Sequence, residues 1–513
     1  MKTKMNHYTQ KRSIAYGLYL LLASVGILLF ATKSSPLYIY NNWCDANSYF
    51  SVGKAMFNGL TPYKDVFDQK GMYLYFMYGL CYLISHTTFI GVFIMELGLG
   101  FLNLLGLYRI LRLYLSHVTS LAMAPISLAV IVSSYSFYMG GSAEELCLPC
   151  YIWALYIIVK YARTRRWDKS APMATKYLII GGVLAGIVAN IKFTGLGFFF
   201  GWMAWVFFDM IFRPKQHLRA FVSCLWFLLG MMIPFIPWII YFGLKNEITW
   251  WYWGYIGVNV FSYSNFGAEG PTLFERIYNL AKIALWTLQD NPVWFIPLLA
   301  GIGFSVTQAK AKMFERFLTI MLMGVLFIGI YVGGSFLPYY ALPLSVFNVF
   351  GFALAGQIIE RIFGHGTGRL STRCQRVLRI VGLVMAIGIV FIFSMNIKDL
   401  GQKKDEHYLT EFTKIIEESE IENPTLLNIS CLDAGLYTTA DIIPNCQWFQ
   451  TQTINSSVPY DEQDRYIREG LIDFVIASKY YPEHIFNNYE LVSEFPWSQE
   501  GYDIVYYLFQ KKQ

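Results

Sequence analysis

The sequence predicts an α-helical integral membrane protein with about eleven spans, followed by a small α/β domain outside the cell. Of its 513 residues, 55% are hydrophobic and only 14% are charged, an apolar excess that suits lipid as the solvent. Span-length apolar runs recur up to residue 393, and basic clusters lie between them. From residue 398 onward charged residues become frequent and no such run remains. We therefore predict a membrane domain over 1–397 and a soluble α/β domain over 398–513. Within the latter, the pattern predicts a helix over 406–420 and short strands at 425–429, 474–476 and 504–508.

Basic residues gather in six clusters that set the topology. They lie at the N-terminus and at 109–112, 160–166, 213–219, 310–316 and 361–379. Cytoplasmic loops are enriched in Lys and Arg, so an even number of crossings separates each pair if all six clusters face the cytoplasm. This parity predicts a multi-pass protein of the cell membrane with a cytoplasmic N-terminus and an extracytoplasmic C-terminal domain.

The apolar runs supply the crossings that this parity requires. The predicted spans are 14–32, 89–112, 120–138, 146–159, a two-helix hairpin within 176–213, 221–242, 291–307, 317–331, 337–358 and 377–393. The hairpin is expected because a single helix of that length would measure about 54 Å, too long for one span. Segment 72–85 is short for a span and would reverse the parity, so we predict a re-entrant or interfacial helix there.

The same parity assigns each polar loop to the inner or the outer side of the membrane. The inward loops are short and basic. The outward loops are 33–71, 140–145, 190–194, 245–290 and 333–340. Any large polar concavity must therefore be built from outward loops. The first of them, 33–71, is the richest in polar side chains.

Several outward segments carry a recognisable pattern. Asp45 follows soon after the first span, the turn sequence Gly-Leu-Thr-Pro-Tyr occupies 59–63, and Lys70-Gly71 precedes an aromatic helix. A glycine-rich helix ends in Asn190-Ile191-Lys192-Phe193. The pattern resembles the GT-C glycosyltransferases, and more closely the bacterial branch related to protein O-mannosyltransferases and the lipid A aminoarabinose transferase.

The resemblance implies transfer of a sugar from a polyprenyl-phosphate donor to a cell-envelope polysaccharide, lipid or protein. The enzyme would be an inverting hexosyl- or pentosyltransferase acting on the outer face of the membrane. The family role of Asp45 would be general base, while Lys70 and Lys192 would bind the donor phosphate. Glu144 and Glu145 would orient the acceptor or help to hold a divalent metal ion. The cofactor requirement is thus either none or a divalent metal.

Other interpretations of these residues stay open. Asp65 and Asp68 are turn formers near Pro62 or candidates to bind the acceptor or a metal ion, and Glu144 with Glu145 could cap the next span. Tyr339 and Tyr340 line the donor site or simply begin a helix. Asp45 could be a solvated loop carboxylate, Lys70 could snorkel at a helix end, and Glu96, inside a span, suits a buried hydrogen bond. Trp250, Trp251, Tyr252 and Trp253 could stack on sugars or form an interfacial belt.

Two other functions compete with glycosyl transfer, and nucleic acid binding is not among them. A membrane transporter or lipid-linked-sugar flippase would show charges deep in several spans or matched halves, and the sequence has few of the former and none of the latter. A non-catalytic anchor for the C-terminal domain is the third hypothesis. A disulfide between Cys431 and Cys446 is possible in an oxidising exterior, and their spacing leaves it open.

Overall fold

The structure is a computed structural model of the chain. It describes residues 2–165, 172–212, 216–262, 272–308, 313–363, 371–454, 456–499 and 502–512. Parts of four predicted basic clusters, including Arg166, Arg213 and Lys310, lie outside the described residues.

Helices make up most of the described chain. They are α1 (Lys2–Ala31), α2 (Cys44–Phe57), α3 (Met72–Tyr82), α4 (Ile90–Leu111), α5 (His117–Val132), α6 (Ala143–Thr164), α7 (Thr175–Ala189), α8 (Leu196–Ile211), α9 (His217–Met232), α10 (Ile236–Leu244), α11 (Ile248–Trp251), α12 (Leu273–Asp290), α13 (Pro292–Thr307), α14 (Met313–Arg316), α15 (Leu318–Tyr331), α16 (Val349–Phe363), α17 (Thr372–Phe393), α18 (Tyr408–Glu418), α19 (Leu436–Thr439) and α20 (Val458–Arg468). A π-helix covers Tyr252–Ser262, and a 3-10 helix covers Pro338–Asn348.

Within the described residues, seven helices are long and apolar enough to cross a membrane, and four shorter apolar helices accompany them. Together they correspond one by one to the predicted spans. The predicted hairpin within 176–213 is present as α7 and α8. The number of actual crossings stays a prediction.

The chain divides into two compact units. One unit, which we call the helical unit, comprises Met1–Thr32, Glu96–Ile236 and Pro271–Lys398. The other, the mixed unit, comprises Lys33–Met95, Pro237–Gly270 and Asp399–Gln513. The C-terminal segment thus shares a compact unit with the first loop. The predicted domain boundary at residue 397 stays a prediction.

Polar contacts join several helix ends of the helical unit. Arg165 pairs with Asp209 at 2.7 Å, which joins the end of α6 to the end of α8. The backbone N–H of Ser116 donates to Glu360 Oε1 at 2.7 Å, which joins the start of α5 to the end of α16. Side-chain caps such as Ser116 at α5 help to start these helices.

The alternate helix ends meet in a second polar region of the helical unit. Asn396, just after α17, donates to Ala31 O at 2.7 Å and to Tyr138 O at 2.9 Å. Ser136 N donates to Asn291 Oδ1 at 2.9 Å. The contacts in both regions pair helix ends that the parity argument places on the same side. Which end faces the cytoplasm stays a prediction.

The predicted loop over 245–290 is wrong in its secondary structure. It contains α11, the π-helix and α12, apart from residues 263–271, which lie outside the described part. A capping box starts α12, because Thr272 Oγ1 accepts from Glu275 N while Glu275 Oε2 accepts from Thr272 N at 2.7 Å. The Thr-x-x-Glu pattern is a sequence signal for this helix start, and the aromatic content of the segment obscured it.

In the mixed unit, the predicted short helix after the first loop is α3, which packs closely on α2. A Cβ added to Gly53 would lie 2.6 Å from the backbone nitrogen of Gly79. Only glycines permit this approach of the two backbones. With 11 residues, α3 is too short to span a bilayer.

The C-terminal segment forms the predicted α/β structure. Its strands are β1 (Leu426–Ile429), β2 (Phe474–Ser478), β3 (Tyr489–Gln499) and β4 (Tyr502–Lys511), in the sheet order β1-β2-β4-β3. The first pair is parallel and the other two are antiparallel. The sequence predicted β1, β2, β4 and the helix α18 but missed β3, in which charged and apolar residues mix. All eight cysteines are free, so Cys431 and Cys446 are not bonded to each other.

Candidate active site

Lys192 and Glu144 form an ion pair in the helical unit. Lys192 follows α7 in extended conformation, with φ −154° and ψ 103°, and Glu144 lies in the first turn of α6. Lys192 Nζ donates to Glu144 Oε1. The side chains are only 14% and 5% exposed. A buried pair of this kind is held in place because either charge alone would be costly.

Two tyrosines complete this group, which we call the lysine cluster: Lys192, Glu144, Tyr339 and Tyr340. Lys192 Nζ lies 3.5 Å from the ring centroid of Tyr340 and 5.5 Å from that of Tyr339. Both tyrosines stand at the start of the 3-10 helix that begins at Pro338. Aromatic faces attract a cation more strongly when water is excluded. The sequence-predicted residues of this unit are therefore brought together, apart from Glu145.

The adjacent glutamates have different surroundings. Glu145 Oε2 accepts from Gly141 N at 2.7 Å, and its own N–H donates to Ser142 Oγ at 2.9 Å, so Glu145 closes the turn before α6. Glu144 Oε2 is buried and has no hydrogen-bond partner among the described residues. The capping interpretation thus applies to Glu145, whereas Glu144 keeps a free acceptor atom beside Lys192.

The turn before α6 packs on a second buried carboxyl. Thr32 Oγ1 lies 2.9 Å from both carboxylate oxygens of Glu96, which confirms the hydrogen-bonding role expected for Glu96. Gly140 has φ +86°, and an added Cβ would lie 2.2 Å from Thr32 Oγ1 and 2.7 Å from Glu96 Oε1. This contact fixes the backbone that carries Glu144. Thr32 was missed because a threonine at a helix end has no specific sequence signal.

Asp45 belongs to the mixed unit and lies in the first turn of α2. Its side chain is half-buried, and Asp45 Oδ2 accepts from Tyr49 OH at 3.2 Å. The spacing of four residues on one helix brings the two side chains to the same face.

Asp68 and Lys70 lie in the same unit as Asp45, and the charges of Lys70 and Asp45 both act on Asp68. Asp68 Oδ2 accepts from Tyr75 OH at 2.7 Å, and Tyr75 OH accepts from Lys70 N at 2.7 Å. Burial raises the pKa of Asp68, the charge of Lys70 and the hydrogen bond from Tyr75 oppose that rise, and the charge of Asp45 adds to it. Asp45, Asp68 and Lys70 therefore form one group of interacting charges, which we call the aspartate cluster.

Asp65 does not join the aspartate cluster by any described contact. Its Oδ2 accepts from Thr61 N at 2.7 Å. This bond closes the turn around Pro62, as the turn-forming interpretation expects.

Sequence reasoning missed the contacts that hold α2 against the C-terminal segment. Ser51 Oγ donates to Asp433 Oδ2 at 2.5 Å, and Ser48 Oγ donates to Gln450 Oε1 at 2.6 Å. Lys54, fully buried, donates to Asp441 Oδ1 at 2.8 Å. The partners are more than 380 residues apart, and single-sequence patterns carry no signal over that distance.

Metal ligation has no clear donor set here. Among the residues that the structure describes, no three His, Cys, Asp or Glu side chains are placed to hold a metal ion. Glu144 supplies one free carboxylate oxygen, which alone is not a site. The prediction that Asp45, Lys70 and Lys192 serve one shared cavity stays a prediction.

Comparison with known proteins identifies the fold. No protein-family model matches the sequence, and no curated protein matches it. The crystal structure of ArnT from Cupriavidus metallidurans bound to undecaprenyl phosphate is similar, with a TM-score of 0.58 over 96% of this chain and 97% of that chain, at 10% identity. The apo state of ArnT matches with a TM-score of 0.56 over 97% and 98% of the two chains, also at 10% identity.

ArnT is a lipid A aminoarabinose transferase of the GT-C superfamily. At 10% identity the similarity establishes the fold, whereas the activity requires separate evidence. The chain therefore has a GT-C-like membrane fold with a small C-terminal α/β structure, as the resemblance of its outward segments implied.

Proposed function

We propose that this protein transfers a sugar from a polyprenyl-phosphate donor to a cell-envelope acceptor on the outer face of the membrane. The observation that carries the proposal is the buried ammonium of Lys192, which contacts Glu144 and the ring of Tyr340 in the helical unit. ArnT, which has the same fold, was crystallised with undecaprenyl phosphate. A lipid-anchored phosphate requires a fixed cation in a position that the lipid can reach.

The reaction we propose is a single inverting displacement. Asp45 takes the proton of the acceptor hydroxyl as that oxygen attacks the anomeric carbon of the donor sugar. The bond between the anomeric carbon and the phosphate oxygen breaks, and its electron pair leaves with the polyprenyl phosphate. The sugar therefore reaches the acceptor with inverted configuration.

The two lysines have the complementary role of binding the phosphate. The leaving phosphate gains negative charge as the bond breaks, so ammonium groups stabilise the transition state more than the ground state. Lys192 is the stronger candidate, because its ammonium is buried beside Glu144 and the ring of Tyr340. Lys70 would act beside Asp68. Tyr339 and Tyr340 would line the donor headgroup, and Glu144, through its free Oε2, would orient an acceptor hydroxyl.

The test uses the full-length protein in lipid nanodiscs with synthetic undecaprenyl-phosphate sugars. The donors carry glucose, galactose, mannose or arabinose, and envelope membranes supply the acceptor. We expect release of undecaprenyl phosphate with one donor, its loss in Asp45→Asn, and normal release in Asp461→Asn, which changes an exposed carboxylate of α20.

Two results would contradict the proposal. Full activity of a normally folded Asp45→Asn variant would remove the base role. Movement of an intact lipid-linked sugar across the bilayer with no transfer would favour the flippase instead.

A further inference from the structure

A cleft lined by tryptophans lies in the mixed unit, apart from the contacts assigned above to catalysis. Its volume is about 420 Å³, within the range of about 300–1,000 Å³ typical of small-molecule sites. The lining includes Trp250, Trp253, Trp448, Gln447, Thr249 and Ser456. Three indoles, one amide and two hydroxyls therefore face one space.

This combination matches the surface of a sugar ring. A pyranose has an apolar face of C–H bonds, which packs on an indole, and a rim of hydroxyls, which require hydrogen-bonding groups. Trp253 is 39% exposed, so its indole is available to a ligand. An interfacial belt would place indoles at the lipid headgroups. It does not explain why Trp448, which is buried and comes from the C-terminal segment, lines the same cleft.

The cleft is built on the chain segment that also carries the aspartate cluster. The ring of Phe67 lies 5.2 Å from that of Trp253 and 4.8 Å from that of Trp448. Phe67 N donates to Gln447 O at 2.9 Å, and Gln452 Nε2 donates to Phe67 O at 3.0 Å. Phe67 is followed directly by Asp68. Phe67 therefore supports the tryptophans of the cleft and is also the chain neighbour of Asp68 in the aspartate cluster.

We propose that this cleft binds a sugar unit of the acceptor, so that the acceptor is a glycan or a glycolipid. The assignment of this sugar to the acceptor rests on the proposed function. Sugar binding by the cleft itself can be tested separately. The sugar would pack on the exposed indole of Trp253, and Gln447, Thr249 and Ser456 would contact its hydroxyls.

The experiment is fluorine NMR of the full-length protein labelled with 5-fluorotryptophan in nanodiscs. Single Trp→Phe variants assign the signals of Trp250, Trp253 and Trp448. The probes are the methyl glycosides of glucose, galactose, mannose and N-acetylglucosamine. We expect one glycoside to shift the signals of Trp253 and Trp448 in a saturable manner. Trp226 on α9 is the internal control, because it is also 39% exposed and lies outside the cleft.

Variants provide the second readout. Trp253→Ala should weaken the glycoside affinity measured at Trp448 by about two- to tenfold, the range expected for one aromatic contact. Trp226→Ala should leave it unchanged. Equal melting temperatures of the two variants would show that folding is not the cause.

The possible outcomes separate this inference from the proposed function. No shift with any glycoside at its highest soluble concentration would overturn the sugar site, as would shifts that follow lipid composition alone. Asp45→Asn should still bind the glycoside while transfer is lost. Glycoside binding without any transferase activity would support the sugar site and contradict the proposed function. Transfer without glycoside binding would support the proposed function and contradict the sugar site.

Discussion

Lys192 donates a hydrogen bond to Glu144, 48 positions earlier in the chain, within the helical unit. Neither side chain is more than 14% exposed, so each charge depends on the other for its solvation. The ring centroid of Tyr340 lies 3.5 Å from the same ammonium nitrogen, and the second carboxylate oxygen of Glu144 has no hydrogen-bond partner among the described residues. This arrangement makes Lys192 the most direct target for testing the donor site.

Lys192→Met should abolish donor binding and also destabilise the protein, because it leaves the Glu144 carboxylate buried and unpaired, at a cost of about 3–5 kcal/mol. The double variant Lys192→Met/Glu144→Gln should recover most of the stability without recovering binding. Melting temperature and retention of labelled undecaprenyl phosphate measure the two effects. Lys176→Met, at the exposed start of α7, is the matched control. A double variant that binds the lipid like the wild type would refute the phosphate role.

Gly140→Ala should destabilise the helical unit more than Gly334→Ala. Both glycines have left-handed backbones, with φ +86° and +82°, so each alanine costs about 1–2 kcal/mol in backbone strain. At Gly140 the added Cβ would also collide with Thr32 and Glu96, whereas at Gly334 it would meet nothing within 4 Å. Thermal unfolding should separate the two variants by several degrees. Equal losses would mean that the turn before α6 relaxes freely.

Lys54→Met should weaken the attachment of the C-terminal segment to α2. Lys54 is fully buried and donates to Tyr437 O and Asp441 Oδ1, both at 2.8 Å. Asp441 is partly exposed, so the expected loss is about 2–3 kcal/mol, below the full cost of breaking a buried pair. Lys414→Met, which removes an exposed pair, should cost less than about 1 kcal/mol.

Hydrogen exchange in α19 and the melting temperature measure the effect of Lys54→Met. Faster exchange is expected for Lys54→Met alone. The same exchange rate in both lysine variants would contradict the anchoring role of Lys54.

Asp433 and His407 should give the mixed unit opposite pH dependences. Burial raises the pKa of Asp433 to about 6, so its contribution to stability is complete below about pH 4 and is lost as the pH rises through 6. Burial lowers the pKa of His407 to about 3, with a smaller effect from Lys33. Its contribution is present above about pH 6.5 and is lost as the pH falls toward 3.

Melting temperatures from pH 4 to 7 test this opposition. Asp433→Asn should make the stability rise more steeply with pH, because only the histidine effect remains. His407→Gln should make the free energy of unfolding fall as the pH rises from 4 to 7. The expected fall is about 2–3 kcal/mol, which is the contribution of the Asp433 carboxyl. Unchanged slopes in both variants would show that neither group titrates as its burial requires.

The sequence predicted the membrane helices well because apolar run length and basic flanks are local signals. The hairpin of α7 and α8 followed from length alone, whereas Glu144, Glu145 and Lys192 were singled out by the resemblance. The same reasoning failed at 245–290, where aromatic residues suggested a loop although Thr272 and Glu275 mark a helix start. It also failed at β3, because charged and apolar residues mix along that strand.

What the sequence by itself determined is the class of protein, the helix positions and the set of polar residues from which a site can be built. Only the tertiary structure decided that Glu144, rather than Glu145, faces Lys192, since adjacent side chains on a helix point about 100° apart. It also decided that Ser51 meets Asp433. Such partners depend on how helices rotate and pack against segments hundreds of residues away, and no local pattern in the chain encodes that rotation.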